Sequence, residues 1–191
     1  SMSYLRPLLT LALLTGWTWS VMAQEVPASH NPKMDTYLSP ANNKKISPES
    51  NSAINPLLNW NINPEKNQRI NPLQNKSINP QFESYLNPEK NDLLNPMLKI
   101  YLHPDSPIWR GLYVFDKNDN LIGYLSQPTR DVLLCFDMKG QWTCYYVKTP
   151  EGTYNLFDKE GDWTGNYLVY DNLVGFNQFD KEGKWTGIHI K

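Results

Sequence analysis

A chain of 191 residues with a formal net charge of −1, 19% charged residues, 40% hydrophobic residues and 15 prolines has room for one domain or for a domain plus a tail, and its apolar share falls below the ~45–50% of an ordinary globular domain. It lacks the concentrated Lys and Arg that nucleic acid or an anionic membrane surface would require, so neither is expected as a partner. Its low charge also excludes the acidic or basic type of disordered chain.

The chain opens with an address. Residues 2–23 carry one cation, Arg6, then the apolar run Leu8 to Leu14, and close on Val21-Met22-Ala23 before polar Gln24-Glu25. This is the pattern of a secretory signal peptide over 1–23, cleaved after Ala23. The apolar run falls short of the ~20 residues of a membrane helix, so no membrane span is expected after cleavage. The expected location is periplasmic or secreted.

Residues 24–107 form an array. Prolines stand at 32, 40, 48, 56, 64, 72, 80, 88, 96 and 104, an unbroken period of eight, and the consensus is Ile-Asn-Pro-x-x-Asn-x-x. Asn before Pro can cap a short turn, Pro fixes φ without needing an amide donor, and the later Asn tolerates a left-handed conformation that would end the turn. Nine of the ten octads carry one aliphatic anchor, Ile54, Ile62, Ile70, Ile78, Leu86 and Leu94 among them. One such anchor buries ~2–3 kcal/mol, whereas ordering each backbone residue costs ~1–2 kcal/mol. Three arrangements remain open: an extended spacer, a multivalent strip whose anchors dock on a partner or on neighbouring copies, and a small solenoid with an internal ladder. Phe82, Tyr85, Leu93, Leu94, Met97, Leu98, Ile100, Tyr101 and Leu102 enrich the last octads, so residues 82–104 are expected to pack on the domain that follows.

From 108 to 191 a second repeat takes over, marked by Phe115-Asp116, Phe136-Asp137, Phe157-Asp158 and Phe179-Asp180 at spacings of 21, 21 and 22 residues. Asp-x-x-Gly between aromatic and β-branched residues signals a hairpin, with Asp opening a type I turn and Gly supplying positive φ. Four hairpins predict about eight strands, near 108–115, 121–126, 132–137, 141–148, 153–157, 163–170, 173–179 and 185–190. The fold class is therefore mainly β: a C-terminal antiparallel hairpin-repeat domain, meander, curled sheet or small barrel, preceded by the proline-punctuated octads. The Phe-Asp-x-x-Gly-x-Trp-Thr-Gly units resemble the short Trp/Gly β-hairpin modules of bacterial surface proteins, some of which bind cell-wall choline. The adjacent aromatic pairs of the choline-binding type are not repeated here.

Phe136/Trp142, Phe157/Trp163 and Phe179/Trp185 would pair across their hairpins and fill a buried face. The surplus of Tyr145, Tyr146, Tyr154, Tyr167 and Tyr170 cannot all point inward, since successive strand residues face opposite ways, which makes this set a candidate binding face for a sugar ring, peptide or protein. Cys135 and Cys144 are the only cysteines, and in an exported chain a structural disulfide is expected. A two-residue Lys139-Gly140 turn would place them opposite each other, whereas an Asp-x-x-Gly bulged turn would pair Cys135 with Thr143. No metal spacing, phosphate-binding Gly loop, cofactor motif or catalytic set is visible. The reading is an exported, non-catalytic interaction or scaffold protein with a protein or cell-envelope partner, the octads serving as strip or spacer and the β domain as anchor. The alternative is a glycan or cell-wall binding module using the tyrosine face.

Overall fold

The structure is a computed structural model that describes residues 9–12, 18–21, 31–33 and 35–191. Within the expected signal peptide, strands β1 (Leu9–Ala12) and β2 (Thr18–Val21) pair antiparallel; the cleavage position after Ala23 lies outside the described residues. The remaining strands are β3 (Leu112–Phe115), β4 (Leu121–Thr129), β5 (Val132–Asp137), β6 (Trp142–Lys148), β7 (Tyr154–Asp158), β8 (Trp163–Tyr170), β9 (Phe176–Phe179) and β10 (Trp185–Ile190). They form an antiparallel meander closed into a barrel where β10 pairs with β3, His189 opposite Phe115 and Ile190 opposite Val114.

Turn chemistry sets the register. In each repeat the Asp Oδ1 accepts two backbone N–H groups, from Asn118 and Asn120, Lys139 and Gln141, Glu160 and Asp162, or Glu182 and Lys184. Gly140, Gly161 and Gly183 supply positive φ at the fourth turn position, and Asp119 takes that conformation in the first repeat at φ 65°. A bulge then follows the turn in each hairpin: Phe136 faces Trp142, yet Cys135 faces Cys144, so Thr143 is the unpaired residue.

Alternation along the strands gives the barrel two apolar faces. Leu112, Val114, Leu125, Leu133, Cys135, Cys144, Tyr146, Tyr154, Leu156, Leu168, Phe176, Ile188 and Ile190 come from all eight strands and fill the lumen. The outer face carries the aromatics, in four stacked cross-strand pairs: Tyr124 on Phe136, Tyr145 on Phe157, Tyr167 on Phe179, and His189 on Phe115. That face is covered by the octads. Leu86, Ile78 and Leu94 pack on the outer residues of β3 to β7, and Ile54 packs on those of β8 to β10.

The octads build a belt around the barrel. From Ser39 to Leu102 each contains a turn headed by the residue before Pro, then a 3-10 turn ending on the anchor, eight such turns among the described residues from Lys44–Ile46 to Ile100–Leu102. Asparagine serves both. Asn55, Asn63, Asn71, Asn79 and Asn87 accept from the N–H two residues on, and four of them donate to the carbonyl of the preceding octad's proline, as Asn79 does to Pro72 at 3.0 Å. The later asparagines do not take the expected left-handed conformation. Asn51, Asn59, Asn67, Asn75 and Asn91 are extended, with φ between −108° and −131°, and cap the following 3-10 turn through their side chains.

Belt and barrel run past each other in opposite senses. Gly183 lies against Pro48 and Glu49, Gly161 against Leu73, and Gly140 against Pro96 and Met97, so three octads advance along the belt for each hairpin. Asn31 meets the first hairpin turn, donating to Lys117 O at 3.0 Å and to Asp119 Oδ1 at 3.1 Å. Residues 82–104 pack on the barrel through Leu86 and Leu94, but of the residues that prompted the expectation Phe82, Tyr85, Leu93, Met97, Leu98, Ile100 and Tyr101 are exposed, because they fall outside the inward anchor position; the contact extends back along the array.

Candidate functional site

The octad anchors point inward. Ile62, Ile70 and Leu86 are buried, Ile54, Ile78 and Leu94 are half-buried, and the barrel already occupies them. Barrel asparagines close on the belt backbone beside them: Asn155 Nδ2 donates to Ile62 O at 3.0 Å, and Gln81 Nε2 in turn donates to Lys159 O at 2.7 Å. The chemistry an anchor could offer a partner is therefore spent within the chain.

The tyrosines divide by strand parity. Tyr145 and Tyr167 lie on the outer face beneath the belt, Tyr146 and Tyr154 lie in the lumen, and only Tyr170 is exposed. They do not share one accessible face. Burial pushes the phenols of Tyr145, Tyr146, Tyr154 and Tyr167 above the usual tyrosine range, with neighbouring acidic side chains adding to this at Tyr145, Tyr154 and Tyr167. Tyr146 donates to Gln178 Oε1 at 2.6 Å across the lumen.

The expected disulfide is not formed: Cys135 and Cys144 carry free thiols. They are nevertheless direct cross-strand partners, because the bulge falls at Thr143 and not at the turn, so the expectation that the bulged turn pairs Cys135 with Thr143 is also corrected. Burial and the neighbouring Cys144 sulfur push the Cys135 thiol up, whereas the hydrogen bond from Cys135 brings Cys144 down. Both line a cavity of about 260 Å³ in the lumen, with Val114, Leu125, Tyr146, Leu156, Gln178 and Ile188.

The other polar clusters are structural. The turn aspartates are engaged by backbone N–H groups as described, and no group of three or more His, Cys, Asp or Glu residues able to hold a metal occurs among the described residues. His103 Nδ1 accepts from the Asp105 N–H at 3.0 Å and its ring packs edge-on against Tyr124, so it belongs to the end of the belt.

The accessible surface that sequence reading missed is the outward side of the belt. Leu57, Leu58, Trp60, Phe82, Leu93, Leu98 and Ile100 are exposed there, Trp60 at 70% and Ile100 at 70%. The signal was present in the octad itself: with the anchor turned inward, the second position after Pro, as at Leu58, Phe82 and Leu98, and the position directly after the second Asn, as at Trp60, turn out, while the position directly after Pro meets the barrel turns at Glu49, Leu73, Gln81 and Met97. No helix among the described residues is long and apolar enough to cross a membrane. No protein-family model, curated protein or solved structure matches the chain.

Proposed function

We propose that the chain is an exported, non-catalytic interaction and scaffold protein, in which the barrel is the anchor and the outward side of the octad belt is the contact surface for a protein or cell-envelope partner. The observation that carries this is the contrast inside one octad: Ile62 is 1% exposed against the barrel, while Trp60, two residues earlier, is 70% exposed. Exposed large apolar side chains recurring along one surface mark interaction sites, and a repeat presents them at a fixed spacing that a repetitive partner can engage with avidity. Lys66 over the Trp60 ring and Lys76 over the Phe82 ring hold two of these aromatics in place at the surface. Export rests on the leader pattern of residues 1–23.

The test is a comparison of two substitution sets in the full chain, read by capture of native envelope proteins and by melting temperature. L58A/W60A/I100A is expected to abolish capture with the melting temperature nearly unchanged, whereas I62A is expected to lower the melting temperature. Retained capture by the triple variant, at unchanged affinity, would refute the belt surface as the site.

A further inference from the structure

The geometry points to a binding site for a soft monovalent metal ion, of the Cu(I) or Ag(I) kind, between the sulfurs of Cys135 and Cys144 in the barrel lumen. The two residues are direct partners on antiparallel strands and both face the lumen. Such a pair has Cβ atoms ~4.5–5.5 Å apart, which lets two sulfurs approach one ion from opposite sides in the linear arrangement that d10 monovalent ions accept.

Comparison among the four hairpins shows that this pair departs from the barrel's own pattern. Positions equivalent to Cys135 are Val114, Leu156 and Gln178, and those equivalent to Cys144 are Gly123, Gly165 and Gly187. Nothing in the packing of the other three repeats calls for sulfur at either place. Val114, Cys135, Leu156 and Gln178 all border the same cavity of about 260 Å³, so the four-repeat layer meets at one point in space and only the second repeat brings soft donors to it.

The surroundings select the ion. Thiolate sulfur favours soft cations over the hard ions that seek oxygen. The walls are apolar at Val114, Leu125, Leu156 and Ile188, with Thr143, Gln178 and Asp137 as polar lining, and Asp137 Oδ1 is already engaged by the Lys139 and Gln141 N–H groups, so a single positive charge is the one that a single thiolate cancels there. The Thr143 hydroxyl donates to Cys135 O at 3.3 Å and lies 3.5 Å from the Cys144 sulfur, so it borders the pair on its polar side. Tetrahedral Zn(II) would need further Cys, His or carboxylate ligands; the carboxylate bordering the cavity, Asp137, is engaged by its turn N–H groups, and the described residues form no group of three or more such side chains able to hold a metal. The site depends on the barrel alone and is independent of the belt surface proposed above.

The experiment is titration of the full chain, kept under nitrogen after reduction and removal of the reductant, with silver nitrate as a redox-stable probe. Sulfur-to-metal charge-transfer absorption and melting temperature are followed together. Uptake of one ion per chain is expected, with the absorption rising to the same end point and the melting temperature increasing. C135V and C144G each install the residue of the first hairpin, and each is expected to weaken binding by at least about a hundredfold, with circular dichroism showing the barrel retained. If a variant fails to fold, the stoichiometry and charge-transfer band of the unmodified chain still decide. The proposal is overturned if silver binds without that band, if either folded variant keeps the original affinity, or if chain isolated without reductant has no titratable thiol after unfolding.

Discussion

Every barrel strand is hydrogen-bonded to a neighbour on each side, and the ring closes between segments as far apart in sequence as β3 and β10. In the belt, side-chain hydrogen bonds between octads reach only six to nine residues along the chain, as from Asn67 to Asn61 O or from Lys90 to Gln81 O. The barrel therefore has a lumen core of its own, while the belt has turn geometry of its own but borrows its burial. An octad supplies one anchor, and that anchor has value only because an aromatic face lies later in the chain, as Asn155 stands 93 residues after Ile62. The comparison teaches that regular local hydrogen bonding can specify a shape precisely and still leave its stability to a distant partner.

The largest expected effect comes from breaking the contact where the two regions meet. Leu86 is fully buried among outer-face aromatics, and L86A is expected to cost ~2–5 kcal/mol in chemical denaturation. If the comparison is right, the loss falls first on the belt, so its amides exchange faster before those of the barrel do. Next comes the belt's own geometry. N79A removes both the cap on the Gln81 N–H and the bond to Pro72 O inside a buried site, and a loss of ~1–3 kcal/mol is expected by the same measurement.

A smaller effect tests the fourth aromatic pair, where His189 stands in the tyrosine position. Burial lowers its pKa, opposed by the backbone hydrogen bond of Gly187 and by Asp119, whose Oδ1 lies 3.2 Å from Nε2, and Asp116. A histidine whose folded pKa lies below its unfolded value of 6.5 takes up its proton more readily when unfolded. Its contribution to stability is thus complete above pH ~6.5 and is lost as pH falls from there through the folded pKa. H189Y, which restores the residue of the other three repeats, is expected to remove that loss when melting is followed between pH 5 and 8. The smallest effect belongs to the exposed ion pairs that tie belt to barrel, Lys181 with Glu65 and Lys159 with Glu89. E65A is expected to change stability by less than ~1 kcal/mol, and a larger change would mean that charge shares the role assigned to the anchors.

The two periods and the hairpins were legible in the sequence, because both rest on local chemistry. Asp137 and Gly140 announce their turn four residues at a time, and the predicted strand over 163–170 matches β8. The partner of an octad anchor was not legible, since Ile62 and Asn155 are 93 residues apart and neither carries a mark of the other. Weighing each octad by itself left the array as spacer, strip or solenoid; the outer face of the barrel supplies the burial missing from that sum. The tyrosines divided for a similar reason. Parity correctly forbids Tyr145 and Tyr146 from sharing a face, but a barrel wrapped in a belt buries both faces. At the cysteines two registers stay open in the sequence, because it does not say whether a bulge is absorbed in the turn or, as here, at Thr143; the structure sets the pair opposite each other, with both thiols free.

Hydrogen exchange on the intact chain, dilute enough to be monomeric and read peptide by peptide, tests the dependence of belt on barrel most directly. Protection of the 3-10 and turn amides across residues 43–103 is expected in the unmodified chain, with L86A losing it there while β5 to β8 stay protected. Unprotected exchange throughout 43–103 beside a protected barrel would contradict the account, since the belt would then be a loose strip and its buried anchors would not be held.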